Sequence, residues 1–227
     1  MKYALIGDIH SQFDKMAEAS EYAVKNGYTP VFLGDLFDSR NGKSESLEVY
    51  LHARKLERNV GAVVIASNHQ DKLRRFLSGH PIDLNQSPEL VSTIQDLSGV
   101  DPDELLDWLT NLPFGFVFVE GGKEYRCSHA YFSSLVKIPE TRPYKVDYKD
   151  LTKKTRSWML YGKRNKDGSR LYWWNRANPN PWVRVAGHYH NVTIEIENNN
   201  LVLDGCCGDW HGELPLYLVD KGELLLF

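Results

Sequence analysis

Cysteine is scarce in this sequence, and what there is cannot form a framework. Three cysteines occur in 227 residues, and two of them, Cys206 and Cys207, are adjacent. A disulfide scaffold is therefore excluded, and a reducing, cytoplasmic setting is the expectation. Long apolar runs are also missing: stretches such as LLLF at 224–227 are far too short to cross a bilayer, so no membrane partner is expected. The N-terminus reaches Gly7 and Asp8 before the apolar region of a signal peptide develops, so secretion is not expected. Neither a repeat of 20–50 residues nor a low-complexity linker divides the chain. A strong excess of one charge is absent too. The net charge of −3 argues against a general nucleic-acid coat, and no stable nucleic-acid complex is expected.

What is present is an ordinary globular composition. Hydrophobic residues make up 42% and charged residues 25%, enough to bury one full core, so a single domain over 1–227 is expected. The charge is unevenly spread. Between Arg142 and Arg184 stand twelve Lys or Arg against three Asp, so this stretch carries +9 while the remainder carries −12. Eight aromatics are interleaved there: Tyr144, Tyr148, Trp158, Tyr161, Tyr172, Trp173, Trp174 and Trp182. Such a segment can stack a base and bind its phosphates, or it can pack a helix on a sheet.

Short apolar runs bounded by turn residues predict buried strands at 3–6, 31–33, 62–66, 114–119, 183–186, 192–196, 201–203 and 214–219. Helices are expected at about 12–26, 44–58 and 70–78, alternating with the first strands, which implies βαβ units and a parallel sheet. Pro102-Asp103-Glu104 starts a helix whose apolar face is Leu105, Leu106, Trp108 and Leu109, within a helical insertion at about 83–112. Asn198-Asn199-Asn200 and Lys221-Gly222 read as hairpin turns, so the C-terminal part is expected to be antiparallel. The class is α/β with mixed sheets.

The informative residues follow the apolar runs. Gly7-Asp8-Ile9-His10 ends the first, Gly34-Asp35-Leu36-Phe37-Asp38 the second and Ser67-Asn68-His69 the third. Later runs lead into Cys127-Ser128-His129 and Gly187-His188-Tyr189-His190. Ligands of α/β sheets sit outside the carboxyl ends of strands, so five polar clusters are expected on one rim. Carboxylate and imidazole donors without thiolate suit Mn, Fe or Zn in a mixed oxygen and nitrogen shell. Asp8 and His10 are two apart on an extended segment and so share a side. Asp35 can bridge to a second ion, completed by Asn68, His129 and His188.

The ordered series GDIHS, GDLFDSR, SNHQ, SHA and GHYH resembles the calcineurin-like metallophosphoesterases, in particular their phosphoprotein phosphatase branch. Trp108-Leu109-x-x-Leu112-Pro113 and Leu203-Asp204-Gly205-Cys206 are similar to further segments of that branch. Leu160-Tyr161-Gly162, Asp167-Gly168 and Trp174 resemble the phosphatase domain of bacterial polynucleotide kinase-phosphatases. The resemblance runs from about residue 2 to 220. It implies a central two-sheet β-sandwich flanked by helices and a centre of two divalent ions, Mn²⁺ with Fe or Zn as alternatives. Asp8, His10 and Asp35 would hold the first ion, and Asp35, Asn68, His129 and His188 the second. A hydroxide bridging the ions would attack phosphorus, His69 would protonate the leaving oxygen, and Asp38 would orient His69. The implied activity is phosphomonoester hydrolysis of the serine/threonine protein phosphatase kind. The alternative is a nucleotide or RNA-end substrate, of the diadenosine-tetraphosphate or 2′,3′-phosphate type.

Four positions depart from the pattern. Ser11 and Ser67 stand where the family has glycine, and Gln70 where it has Glu. Asp38-Ser39-Arg40 replaces Asp-Arg-Gly, which sets Arg40 one residue late as the phosphate clamp, with Arg164 and Arg126 as substitutes. In many calcineurin-like enzymes both histidines of a Gly-His-x-His ligate, which makes His190 a further metal candidate. His211 is expected on an exposed loop, and His52 and His80 carry no pattern. The cysteines read as small buried residues.

Overall fold

Alternation along the first strand sets the layering of the molecule. In Lys2–Ile6, Tyr3 and Leu5 point to one apolar cluster, Ala4 and Ile6 to another, and all four are buried. A strand buried on both faces must sit between two layers. The computed structural model describes residues 1–175, 177–195 and 198–227; Arg176 of the basic segment and Ile196 of the expected 192–196 strand lie outside the described residues.

The elements run β1 (Lys2–Ile6), α1 (Phe13–Lys25), β2 (Tyr28–Phe32), α2 (Ser46–Val60), β3 (Val63–Val64), α3 (Asn68–Leu77), α4 (Pro88–Asp96), α5 (Pro102–Asn111) and β4 (Gly115–Glu120). They continue as β5 (Lys123–Ser128), β6 (Tyr144–Val146), α6 (Lys153–Tyr161), β7 (Val183–Ala186), β8 (Val192–Glu195), β9 (Asn200–Leu203), β10 (Pro215–Leu218) and β11 (Glu223–Leu226). Two sheets form, in the orders β11-β10-β1-β2-β3 and β6-β4-β5-β7-β9-β8. Leu5, Val31, Leu33 and Ile65 of the first meet Phe116, Phe118, Cys127, Val185 and Leu203 of the second in the core between them. The expected two-sheet sandwich flanked by helices is the architecture found.

α1 and α2 lie against the first sheet and α6 against the second, and the helix ends are set locally. Asp101 caps α5 by accepting from the N–H groups of Asp103 and Glu104, with Pro102 at the first helical position. Its Leu105, Trp108 and Leu109 are buried, and the Trp108 ring packs on Phe37 and Tyr50. Ser67 caps α3 and accepts from the Gln70 N–H, so the residue that replaces a family glycine supplies a helix cap. Among the described residues no helix is long and apolar enough to cross a membrane.

One pairing differs from expectation. β8 with β9 and β10 with β11 are antiparallel, but β7 pairs parallel to both β5 and β9. The long connection through β6 and α6 returns the chain to the start of the sheet before β7, which is what a parallel pair requires. Consequently β1, β2 and β3 of one sheet and β5 and β7 of the other direct their carboxyl ends to a common edge.

Candidate metal centre

Five strand-end loops meet at that edge. Asp8 and His10 follow β1, Asp35 and Asp38 follow β2, Asn68 and His69 open α3, His129 follows β5 and His188 follows β7. Asp8, His10 and His129 have no solvent exposure, and Asp35 and Asp38 have almost none. Backbone strain concentrates here. Among the described residues, His10, Ser11, Asp35, Asp38, His188, His190 and Cys206 hold φ between 41° and 69°, and Asn199 is the one other non-glycine with positive φ. Each such residue costs of order 1–3 kcal/mol, which surrounding structure must hold in place.

Two backbone carbonyls fix the orientation of the imidazoles. His10 Nδ1 lies 3.1 Å from the Asp38 carbonyl oxygen and His129 Nδ1 lies 3.1 Å from that of Leu33. With Nδ1–H donating, each Nε2 turns a lone pair inward. Asp35 Oδ2 stands at the centre, 3.7 Å from His10 Nε2, 3.8 Å from His69 Nε2 and 3.4 Å from His129 Nε2. His129 Nε2 is also 2.7 Å from Asn68 Oδ1 and 3.0 Å from His188 Nδ1. Donor atoms of His10, Asp35 and His69 thus gather in one group and those of Asp35, His129 and His188 in a second, with Asp35 common to both.

Asp8 is held differently. Its Oδ2 accepts from the His188 backbone N–H at 2.7 Å, and its Oδ1 lies 3.7 Å from His129 Nδ1. Asp8 Oδ1, His10 Nε2 and Asp35 Oδ1 are buried with no hydrogen-bond partner. Orphaned buried acceptors are costly, and carboxylate and imidazole atoms left so at this edge fit divalent cations, although Asp8 Oδ1 packs against Gly187 and joins neither group.

The electrostatics hold the imidazoles of His10, His129 and His188 neutral. Burial pushes His10 down to about 4 and His188 down to about 2, and also lowers His129. Burial, with the carboxylates of Asp204 and Asp35 nearby, raises Asp8 well above the usual carboxylate range. Burial opposes charge on Asp35 as well, but His129, His69, His10 and His188 around it hold its pKa below the ordinary value. His69 is raised: burial works against its charge, and Asp35 together with Asp38 outweighs it.

His69 is the end of a chain of contacts. Its Nδ1 lies 2.7 Å from Asp38 Oδ2. Thr93 of α4 donates its hydroxyl to Asp38 Oδ1 at 2.8 Å and accepts from the Asp38 N–H at 3.1 Å. Lys72, one turn along α3, lies 3.5 Å from Asp38 and 2.8 Å from Glu89. Thr93 and Lys72 were not legible as site residues, because only the packing of α4 on the loop after β2 makes them neighbours.

The cationic candidates separate. Arg40 is exposed, its Nη1 lies 2.8 Å from His190 Nε2, and its charge is felt at Asp8 and His10. Beside it a cavity of about 500 Å³ is lined by Ser39, Arg40, His69, Pro88 and Glu89. Arg126 is not a substitute clamp: it pairs with Glu124 at 2.6 Å and lies 4.5 Å over the Trp182 ring, and so serves packing. Arg164 is exposed and donates to the Gly168 carbonyl. Arg170, missed in the sequence, lies over Tyr189 at 5.8 Å, and its charge reaches His188.

His190 stands apart from both donor groups. It is exposed, and its ring gathers with Cys206 and Asp209 at the outer rim. Cys206 is half-buried there, against the expectation of three buried cysteines, because its backbone is pinned to Asp204 at 3.0 Å. His211 is exposed as expected, and His52 is 2.8 Å from the Ser20 hydroxyl. In the basic segment Trp173, Trp174 and Trp182 are buried while Tyr148, Tyr161 and Tyr172 are exposed, so the aromatics divide between packing and surface. Arg184 is buried among Tyr131, Trp173 and Trp182.

The family model for calcineurin-like phosphoesterases matches residues 1–222. The chain belongs to the calcineurin-like phosphoesterases. Members are divalent-metal-dependent hydrolases of phosphoric ester bonds, and this calcineurin-like phosphoesterase carries the donor groups for the role. It is 33% identical to the asymmetrical bis(5′-nucleosyl)-tetraphosphatase PrpE of Bacillus velezensis, over 91% of the chain and 85% of the relative. In fold it is similar to a solved protein with a provisional diadenosine tetraphosphatase assignment, with TM-score 0.64 and 18% identity, covering all of this chain and 92% of that one. It is also similar to a serine/threonine phosphatase of Saccharomyces cerevisiae, with TM-score 0.52 and 12% identity, covering all of this chain and 79% of that one.

Proposed function

We propose that this calcineurin-like phosphoesterase hydrolyses a nucleotide polyphosphate of the dinucleoside tetraphosphate class at two divalent cations. The observation that carries the substrate class is the 33% identity to the PrpE tetraphosphatase over nine-tenths of the chain. The serine/threonine phosphatase reading rests on strand-end motifs that the whole branch shares, and these do not discriminate between leaving groups.

His10 and Asp35 would hold one cation, with Asp8 beside them, and Asp35, Asn68, His129 and His188 would hold the other. Mn²⁺ suits this oxygen and nitrogen set, with Fe or Zn as alternatives. Such ions supply acidity to water and neutralise phosphate oxygens. His69 has two neighbours that suit a proton donor: Asp38 fixes Nδ1 at 2.7 Å, which leaves Nε2 facing the centre. Phosphorus gains an oxygen from water as its bond to the leaving oxygen breaks, and His69 gives that oxygen its proton. Arg40, exposed beside the 500 Å³ cavity, binds phosphate oxygens from the opposite lip. His190 aligns Arg40 and lies outside the two donor groups that share Asp35. Three free cysteines suit a cytoplasmic setting.

The test is a comparison under equal Mn²⁺ loading of diadenosine tetraphosphate, a phosphoserine peptide and an RNA with a 3′-end phosphate. The dinucleotide is expected to give the highest kcat/KM. A phosphopeptide preferred by tenfold would reverse the substrate assignment while leaving the metal centre in place.

A further inference from the structure

The loop from β9 to β10, residues 204–214, packs against the candidate centre and carries a bare indole at its tip. Its inner end is tied down. Asp204 accepts from the backbone N–H groups of His190 and Cys206, at 2.6 and 3.0 Å. Gly208 lies so close to His10 that a Cβ there would stand 2.5 Å from the Cβ of His10. A tight turn follows, in which Asp209 N–H donates to the Cys206 carbonyl at 2.8 Å and Glu213 N–H to the Gly205 carbonyl at 2.9 Å. The Lys15 ammonium donates to the Gly212 carbonyl and fastens the turn to α1.

The outermost side chain of this fixed turn is Trp210, which is 81% exposed. The other tryptophans are buried or half-buried. Among the described residues, Trp210 has no ring or cation partner of the kind that engages Trp108, Trp158, Trp173, Trp174 and Trp182. An indole offers the largest gain on burial of any side chain, so a rigid turn that leaves one in water holds a surface for something flat. Its neighbours say what. The Asp209 and Cys206 side chains gather with His190, and His190 carries Arg40 at 2.8 Å. A phosphate-binding cation and an unpartnered aromatic face therefore share one lip of the centre.

We propose that Trp210 is the platform on which a nucleobase of the substrate stacks, while the attached phosphates pass Arg40 into the centre. The assignment rests on the nucleotide reading above. Stacking on an aromatic face tolerates any base, so Trp210 sets the class of ligand and not the identity of the base.

The experiment measures inhibition of p-nitrophenyl phosphate hydrolysis by AMP and by inorganic phosphate, using the full Mn²⁺-loaded chain, Trp210→Ala and Trp210→Phe. Wild type is expected to hold AMP more tightly than phosphate. In Trp210→Ala the Ki of AMP, taken relative to that of phosphate, is expected to rise about tenfold, and Trp210→Phe to keep most of the preference. Circular dichroism serves as the folding control, since an exposed side chain contributes little to the core. An AMP preference that survives Trp210→Ala overturns the platform and leaves the nucleotide reading standing. A wild type that binds AMP no better than phosphate overturns both.

Discussion

Replacing Gly187 by alanine is the sharpest test of how the centre is assembled. Gly187 sits between the end of β7 and His188, and its φ is not in the left-handed region, so an alanine backbone fits without strain. The obstacle is volume alone. An added Cβ would collide with Asp8 Oδ1 and would stand 2.9 Å from Asp8 Cγ and 3.2 Å from Oδ2. Neither partner has room to retreat. Gly187 N–H is held by the His129 carbonyl at 2.9 Å, and Asp8 is fully buried and accepts from His188 N–H at 2.7 Å. If Asp8 turns away, the buried His188 N–H loses its partner at a cost of about 1–3 kcal/mol; if the backbone moves, overpacking costs about 1–3 kcal/mol. A destabilisation of about 1–3 kcal/mol is therefore expected in chelator-treated protein, read by urea denaturation. Dialysed Gly187→Ala is also expected to retain fewer metal ions by elemental analysis and to lose most activity on p-nitrophenyl phosphate. Gly27→Ala is the control, since a Cβ there meets nothing within 4 Å at φ +80° and costs only about 1–2 kcal/mol of backbone strain. An unchanged midpoint with full metal content in Gly187→Ala would refute the packing argument and with it the role of Asp8.

His69→Ala is expected to lower kcat by about 10²–10³ on a substrate with a poor leaving group, with much less effect on p-nitrophenyl phosphate, and to leave the metal content unchanged. Asp38→Asn should reproduce a tenfold to hundredfold part of that loss, because it weakens one charge-assisted hydrogen bond while keeping its shape. Ser67→Ala removes the cap of α3 and is expected to cost about 1 kcal/mol in denaturant melts, against no change if the serine is merely a tolerated glycine substitute. Chelation is expected to lower the thermal midpoint, because it leaves Asp8 Oδ1, His10 Nε2 and Asp35 Oδ1 buried without partners; an unmoved midpoint would mean that the cluster does not depend on cations.

The parts of this molecule that announce themselves in the sequence are those where chemistry and chain direction coincide. An apolar run followed at once by Asp, His or Asn places a ligand at a strand end, and the loops after β1, β2, β3, β5 and β7 do this five times. What stayed hidden depends on contacts between distant segments. β6 spans three residues, Tyr144–Val146, too few for any periodicity to register. The parallel pairing of β7 has no local signature, since it follows from where the intervening chain re-enters the sheet. Thr93 reads as one more polar residue on a helix until α4 is laid against the loop after β2, and Arg126 looks available until Glu124 and Trp182 are seen to engage it. At Ser11 the family glycine was the visible sign of a φ of 60°, a glycine conformation, while the hydrogen bond of its hydroxyl to Ser46 at 2.8 Å was not legible.

Convergence of strand ends from both sheets on a single edge has a consequence for how such a scaffold diversifies. The donors reach the edge on five connections, and the turn carrying Trp210 and the segment carrying Arg170 are further additions around it. Insertions or exchanges in those outer connections can retune what is admitted while the interleaved side chains between the sheets remain untouched. Grafting residues 205–213 from a relative of different selectivity onto this chain is thus a one-segment route to a new preference.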